Sequence, residues 1–156
     1  ANDDRLQVSD ANFLMVDGGS GQDTLVLDET DLDFTTVNLA RFASIEAIDL
    51  KEGGPVSIKL GLASIAALSE TGNDDLDAVL DTLLGAANAP DESLVVSGGA
   101  GDAVELAPSA EGEWYLTNTE AFADHDIYTF QTNTGSVLAA VAIDDDVNVT
   151  GANVPS

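Results

Sequence analysis

Apolar positions recur along this chain in short bursts separated by polar, glycine-rich intervals. The bursts are RLQV (5–8), FLMV (13–16), TLVL (24–27), IEAIDL (45–50), VSIKL (56–60), LVV (94–96), AVEL (103–106), WYL (114–116), IYTF (127–130) and SVLAAVAI (136–143). Most are short, and many alternate apolar with polar, the period-2 signature of strands with one buried face. Gly, Asp and Asn punctuate them, as tight turns require. The acidic runs at 28–33 and 144–149 read as solvated loops, with a secondary calcium site as the alternative at each, although neither completes an EF-hand loop. The pattern predicts a mainly β domain.

One region breaks this rhythm. From Gly61 to Asn88, Leu76, Val79, Leu80, Leu83 and Leu84 recur at the spacing of one helix face. Asn73 and Asp74 suit the start of that helix, and Gly85 suits its end. Leu62 to Ser69 reads as a shorter helix. A segment of this length cannot bury a core of its own. Residues 61–86 are therefore read as a helical insertion in a β framework, within a segment, 61–88, that is not a second domain. The expected organisation is one domain over 1–150 and a linker or tail over 151–156.

Composition changes the picture in three ways. Hydrophobic residues make up 44% of the 156-residue chain, enough for a real core, but aromatics are only 5%. That core must be built mainly from Val, Leu, Ile and Ala. Second, 29 acidic residues face four basic ones, Arg5, Arg41, Lys51 and Lys59, for a net charge of −25. Such a surface repels phosphate, which excludes nucleic acid as a partner and disfavours anionic membranes. No apolar run is long enough to span a bilayer, so membrane insertion is not expected. Self-repulsion works against the compact state, and bound divalent cations would relieve it. Third, the absence of cysteine removes disulfides, thiolate metal sites and cysteine nucleophiles. A small secreted domain without disulfides needs another staple, commonly a metal. The opening residues ANDDRLQV are not a signal peptide and read as the interior of a longer chain.

The densest chemical signal is Gly18-Gly19-Ser20-Gly21-Gln22-Asp23-Thr24-Leu25-Val26. It matches every fixed position of G-G-x-G-x-D-x-U-x, the calcium-binding nonapeptide of RTX proteins. In such a turn, glycine conformations aim carbonyls inward, the aspartate supplies a carboxylate, and the last residues form a strand. Calcium takes about six to eight oxygens, so one turn supplies only about half. A neighbouring loop must give the rest. The stretch 97–106 is a near copy, with Gly98, Gly99, Gly101 and Asp102. Asn2 to Val8 resembles the tail of another copy, and Gly53–Gly54 is a glycine pair without an aspartate. The expected ligands are Asp23 with the Gly19 and Gly21 carbonyls, and Asp102 with Gly99 and Gly101 in the second turn. Asp4 and Asp17 are expected donors from adjacent loops.

The succession of these motifs, with ASIEAIDL, VSIKLGLASIAALSE, SLVVSGGAGDAVEL, a tryptophan strand, IYTF and GSVLAAVAID, covers about residues 2–146. It resembles the C-terminal regions of large bacterial RTX adhesins exported by type I secretion. The resemblance implies short parallel β-solenoid or β-roll-like rungs at the glycine turns, joined to antiparallel strands after about residue 112. It also implies a non-enzymatic extracellular module at the bacterial surface, which folds and stiffens on meeting calcium. Its partners would be calcium and neighbouring modules of the same long chain. The segment from Glu70 to Pro90 is longer than that pattern expects, so the protruding helix could be a contact surface.

A different reading makes this a ligand-binding adhesin domain that grips a surface peptide or glycan through the helical insertion or through the strand of Trp114 and Tyr115, whose rings would stack on it. Aromatics on an alternating strand more often pack in a core. His125 lies between Asp124 and Asp126, but no G-x-S-x-G motif accompanies it, and catalysis is not expected.

Overall fold

The computed structural model describes residues 2–9, 15–28, 31–50, 54–69, 72–122 and 124–153. In chain order the elements are β1 (Arg5–Val8), β2 (Val16–Asp17), β3 (Thr24–Leu27), β4 (Leu32–Asp33), a 3-10 turn (Leu39–Arg41), β5 (Phe42–Ala43), β6 (Ala47–Asp49) and β7 (Ser57–Leu60). Then come α1 (Leu62–Leu68), α2 (Asp74–Leu84), β8 (Ser93–Ser97), β9 (Ala103–Leu106), β10 (Gly112–Phe122), β11 (His125–Thr132), β12 (Val137–Asp144), β13 (Asn148–Thr150) and β14 (Ala152–Asn153). The protein is mainly β, with both parallel and antiparallel pairing and two helices between β7 and β8.

An eight-stranded sheet runs β1-β3-β6-β8-β12-β11-β10-β14 and a four-stranded sheet runs β13-β9-β7-β4. A small third sheet joins β2 to β5. Pairing is parallel from β1 to β12, antiparallel through β11 and β10, and parallel again at β14. The four-stranded sheet is parallel throughout. The chain therefore passes from the larger sheet to the smaller in the pairs β3–β4, β6–β7, β8–β9 and β12–β13, keeping the same order in both.

This in-register stacking follows from the period-2 pattern, because equivalent inward positions of successive strands meet. Leu25, Ile48, Val96 and Ile143 form one such row, each essentially fully buried. Leu32, Ile58 and Val104 form its counterpart in the facing sheet. Each buried Leu, Ile or Val stabilises the fold by about 1.5–3 kcal/mol relative to exposure. A second cluster lies on the opposite face of the larger sheet. There Leu76 and Leu80 of α2 pack on Val95, Ile127, Ala140 and Ala142. The centre of the sheet is thus covered on both faces, which is why 93–96 and 139–143 are continuously buried rather than alternating.

The insertion forms as its sequence predicts. Asn73 Oδ1 accepts from the Asp75 and Leu76 main-chain N–H groups at 3.1 and 3.2 Å. Asp74, Asp75 and Asp77 fill the first turn of α2, where the helix dipole favours negative charge. Gly85 ends the helix with φ of 83°. Other elements differ from expectation. β4 and β13 emerge from the acidic runs read as loops, held by ladder bonds to β7 and β9 although their outward residues are polar. β10 extends well beyond WYL because its outer half pairs with β11 through two irregularities of register. The supposed tail is part of the fold at its start, since Ala152 and Asn153 pair with Trp114 and Tyr115. Of FLMV, residues 13 and 14 lie outside the described residues, and Val16 enters a strand.

Candidate metal centre

The turn 18–23 delivers the chain into β3, and two loops flank it. On one side Asp4 donates its main-chain N–H to Asp23 Oδ1 at 2.7 Å, and Gln22 donates its own to Asp3 Oδ1 at 2.9 Å. On the other side Asp23 donates its main-chain N–H to Glu46 Oε2 at 2.8 Å. The Asp23 carbonyl accepts from Glu46 and Ala47 at 3.0 and 3.1 Å. Of the three loops the sequence offered as neighbours, Asn2–Asp4 is the one beside this turn.

Two glycines make that packing possible. A Cβ on Gly18 would lie 2.2 Å from the Ser44 carbonyl oxygen and 2.6 Å from Asp23 Oδ2. A Cβ on Gly21, whose φ is +130°, would lie 2.3 Å from the Asn2 carbonyl oxygen. Ser44 itself adopts a left-handed φ of 55°, uncommon for a residue with a side chain. This brings its carbonyl toward the bare Cα of Gly18.

The result is a buried acidic corner. Asp23 is 0% and Glu46 2% exposed. Asp23 Oδ2 is buried without a hydrogen-bond partner. Burial, above all, holds the Glu46 carboxyl above the usual carboxylate range, and the charges of Asp23 and Asp74 push the same way. The corner fits a hard cation: an orphaned carboxylate oxygen, a second buried carboxylate and a main-chain carbonyl lie together. Among the described residues no three His, Asp or Glu side chains converge, so main-chain oxygens would have to complete any coordination shell.

Comparison with known proteins finds no match, whether to a family, to a curated protein or to a solved structure. The reading of the site therefore rests on its own residues.

The other expected ligands are dispersed. Asp17 is exposed and accepts locally from the Gly19 N–H at 2.9 Å. Gly19 and Gly21 face solvent. Asp4 contributes its N–H to the corner while its side chain stays exposed. The second turn lies in the other sheet, between the 54–56 and 144–148 segments. Asp102 Oδ1 accepts from the Val56 N–H at 2.9 Å and Oδ2 from the Gly99 N–H at 2.8 Å. The Gly99 carbonyl accepts from the Asp102 N–H at 3.0 Å, and Gly101 lies against the Pro55 ring. A groove of about 320 Å³ opens beside this turn, lined by Gly54, Pro55, Gly98, Gly99, Asp102 and Asp146 among others. Gly53 lies outside the described residues.

Trp114 and Tyr115 do not form a platform. The Trp114 ring is fully buried, packs edge-on against Phe130 at 5.4 Å and donates its Nε1–H to the Ala107 carbonyl at 3.0 Å. Tyr115, the next residue along the strand, faces the other way, where its hydroxyl reaches Glu113 at 3.4 Å. His125 Nε2 lies 3.4 Å from Ser97 Oγ, with the Phe122 ring edge-on at 5.4 Å.

Glu46 is the residue that sequence reasoning missed. Its signal is position: in the run 45–50 it shares the parity of the buried Ile48 and Leu50, while the other acid, Asp49, falls on the opposite parity.

Proposed function

We propose that this protein is a non-enzymatic, calcium-stabilised module of a long extracellular chain at the bacterial surface, of the kind found in type I-secreted RTX adhesins. The observation that carries this reading is the buried, unpartnered Asp23 Oδ2 inside a complete GGxGxD turn. A charged carboxylate taken out of water is strongly disfavoured unless a cation or donors compensate it. The net charge of −25 adds a general demand for cations. The alternation of the chain between the parallel part of the larger sheet and the parallel four-stranded sheet supports a β-roll-like or solenoid-like winding, in which each rung bonds only to its neighbours.

The mechanism is linkage. A cation that binds the folded turn and not the unfolded chain adds its binding free energy to folding, about 2.7 kcal/mol when free calcium is one hundred times the dissociation constant. A chain exported unfolded would then fold and stiffen where calcium is plentiful. Thermal unfolding in calcium, in magnesium and in chelator tests this. Calcium should raise the melting temperature well beyond magnesium. Equal melting in all three buffers would overturn the proposal.

The glycan- or peptide-gripping alternative has two routes, the helical insertion and the Trp114–Tyr115 strand, and the burial of Trp114 weakens the second.

A further inference from the structure

The RTX-like motif supplies Asp23 and says nothing of Glu46. In the fold these two carboxyls occupy one buried corner, joined by the hydrogen bond from the Asp23 N–H to Glu46 Oε2. Neither forms an ion pair with a basic side chain among the described residues. The charges that act on Glu46, those of Asp23 and Asp74, are both negative. Two acids buried together are relieved by a bound cation, and among the described residues Asp23 Oδ2 has no hydrogen-bond partner. The neighbouring Ser44 carbonyl adds a further hard oxygen. Oxygen-only donors of this kind select calcium over softer metals.

The same corner is where the helical insertion docks. Asn73, the cap of α2, donates its side-chain Nδ2–H to the Glu46 carbonyl at 3.2 Å. Asp74 donates its main-chain N–H to Gln22 Oε1 at 2.8 Å. The first turn of α2 carries Asp74, Asp75 and Asp77. Of this turn, Asp74 acts on Glu46 with like charge, a repulsion that solvent screens in part because Asp74 is exposed. A cation in the corner converts that repulsion into attraction.

We propose that Glu46 and Asp23 together form a buried two-carboxylate site for a divalent, oxygen-seeking cation, calcium foremost, and that filling it latches α2 onto the larger sheet. The proposal rests on the calcium reading above and adds a ligand and a consequence to it.

Calorimetric calcium titration and hydrogen exchange of the α2 amides test it, on the wild type, Glu46→Gln and Asp74→Asn. In the wild type, calcium should raise α2 protection by about tenfold or more. Glu46→Gln keeps the size and the acceptor but removes the charge. It should weaken calcium binding by about tenfold or more and make α2 protection indifferent to calcium. Asp74→Asn changes an exposed residue and leaves the corner intact; it should shrink the gain in α2 protection that calcium gives. Undiminished calcium affinity in Glu46→Gln, with α2 still responding, would overturn the site while leaving the calcium module standing. An undiminished calcium gain in α2 protection in Asp74→Asn would overturn the latch, and would do so even if Glu46→Gln failed to fold. A wild type that binds no calcium would remove both readings together.

Discussion

The Val56 main-chain N–H donates to Asp102 Oδ1 at 2.9 Å, across 46 residues of sequence and one step of the four-stranded sheet. Asp4 makes the same bond to Asp23 Oδ1 at 2.7 Å, and Ser57 to Asp31 Oδ1 at 2.8 Å. In each case an aspartate just before a strand accepts from the backbone of the adjacent parallel strand. These side chains extend the ladder by one bond where the strands begin, and they hold successive rungs in register. What separates Asp23 from Asp102 is the second oxygen: the Gly99 N–H satisfies it in Asp102, and among the described residues nothing satisfies it in Asp23.

Asp102 should accordingly act as a structural staple. Asp102→Ala leaves two backbone N–H groups without their acceptor, and each such loss costs about 1–3 kcal/mol. The fall in stability, read by denaturant unfolding, should be the same in calcium and in chelator. A fall confined to calcium would move a metal site to the second turn.

Asp23→Asn should behave in the opposite way. The asparagine oxygen can still accept from the Asp4 N–H, and its amide can donate toward the Ser44 carbonyl that lies beside Asp23 Oδ2. In chelator the variant should melt at or above the wild type, because a buried charge is gone. Its response to calcium should be lost. A variant that melts lower in chelator yet keeps the full calcium gain would show that the carboxylate is needed for its hydrogen bond and not for a cation.

The glycines of the first turn should rank by space rather than by motif position. Gly18→Ala drives a methyl into the Ser44 carbonyl oxygen and the Asp23 side chain, a clash with backbone that should cost about 3 kcal/mol or more. Gly19 has a φ of +86° but nothing within 4 Å of its missing Cβ. Gly19→Ala should therefore cost only the conformational strain, about 1–2 kcal/mol. Equal losses at both positions in chemical denaturation would contradict the packing of the corner.

Trp114→Ala should destabilise by about 3–5 kcal/mol, as removal of a buried aromatic does. It also leaves the Ala107 carbonyl without its indole donor. Tyr115→Ala, on the other face of the strand, should cost far less. If instead Trp114→Ala left unfolding unchanged and abolished binding to a glycan array, the ring would have to be a contact residue.

Acidity should strengthen one further contact. Burial, then the charge of Asp145 and a hydrogen bond with its carboxyl, holds Asp126 above the usual carboxylate range, with His125 opposing. The same pair adds to the burial that pushes the Tyr128 phenol up to about 12. A carboxyl whose folded value is raised favours folding below its unfolded value, and that contribution is lost as pH rises through the folded one. Asp145→Asn should therefore raise the melting temperature near neutral pH and have little effect in acid. A gain of the same size at both pH values would exclude the shared proton.

Much of this architecture is written locally. RLQV and AVEL are strands over the residues their alternation marks, because burial on one face needs only the period of the backbone. The insertion was equally legible, since a capping asparagine, a leucine stripe and a terminal glycine are all local signals. The strands β4, β5, β13 and β14 were not. Two or three residues carry no measurable period, and these strands exist because a neighbouring strand offers ladder partners.

The site divides the same way. By itself the sequence determined that residues 18–23 form a glycine turn with an aspartate at its end, because close backbone approach and left-handed angles restrict which residues fit there. Only the tertiary structure decided which oxygens meet in that turn. Asp4 contributes an N–H instead of a carboxylate, Asp102 closes its own bonds in another sheet, and Glu46 arrives from 23 residues away. The order of strands in a sheet is set by long-range pairing, and so is the set of charges that must share one buried corner.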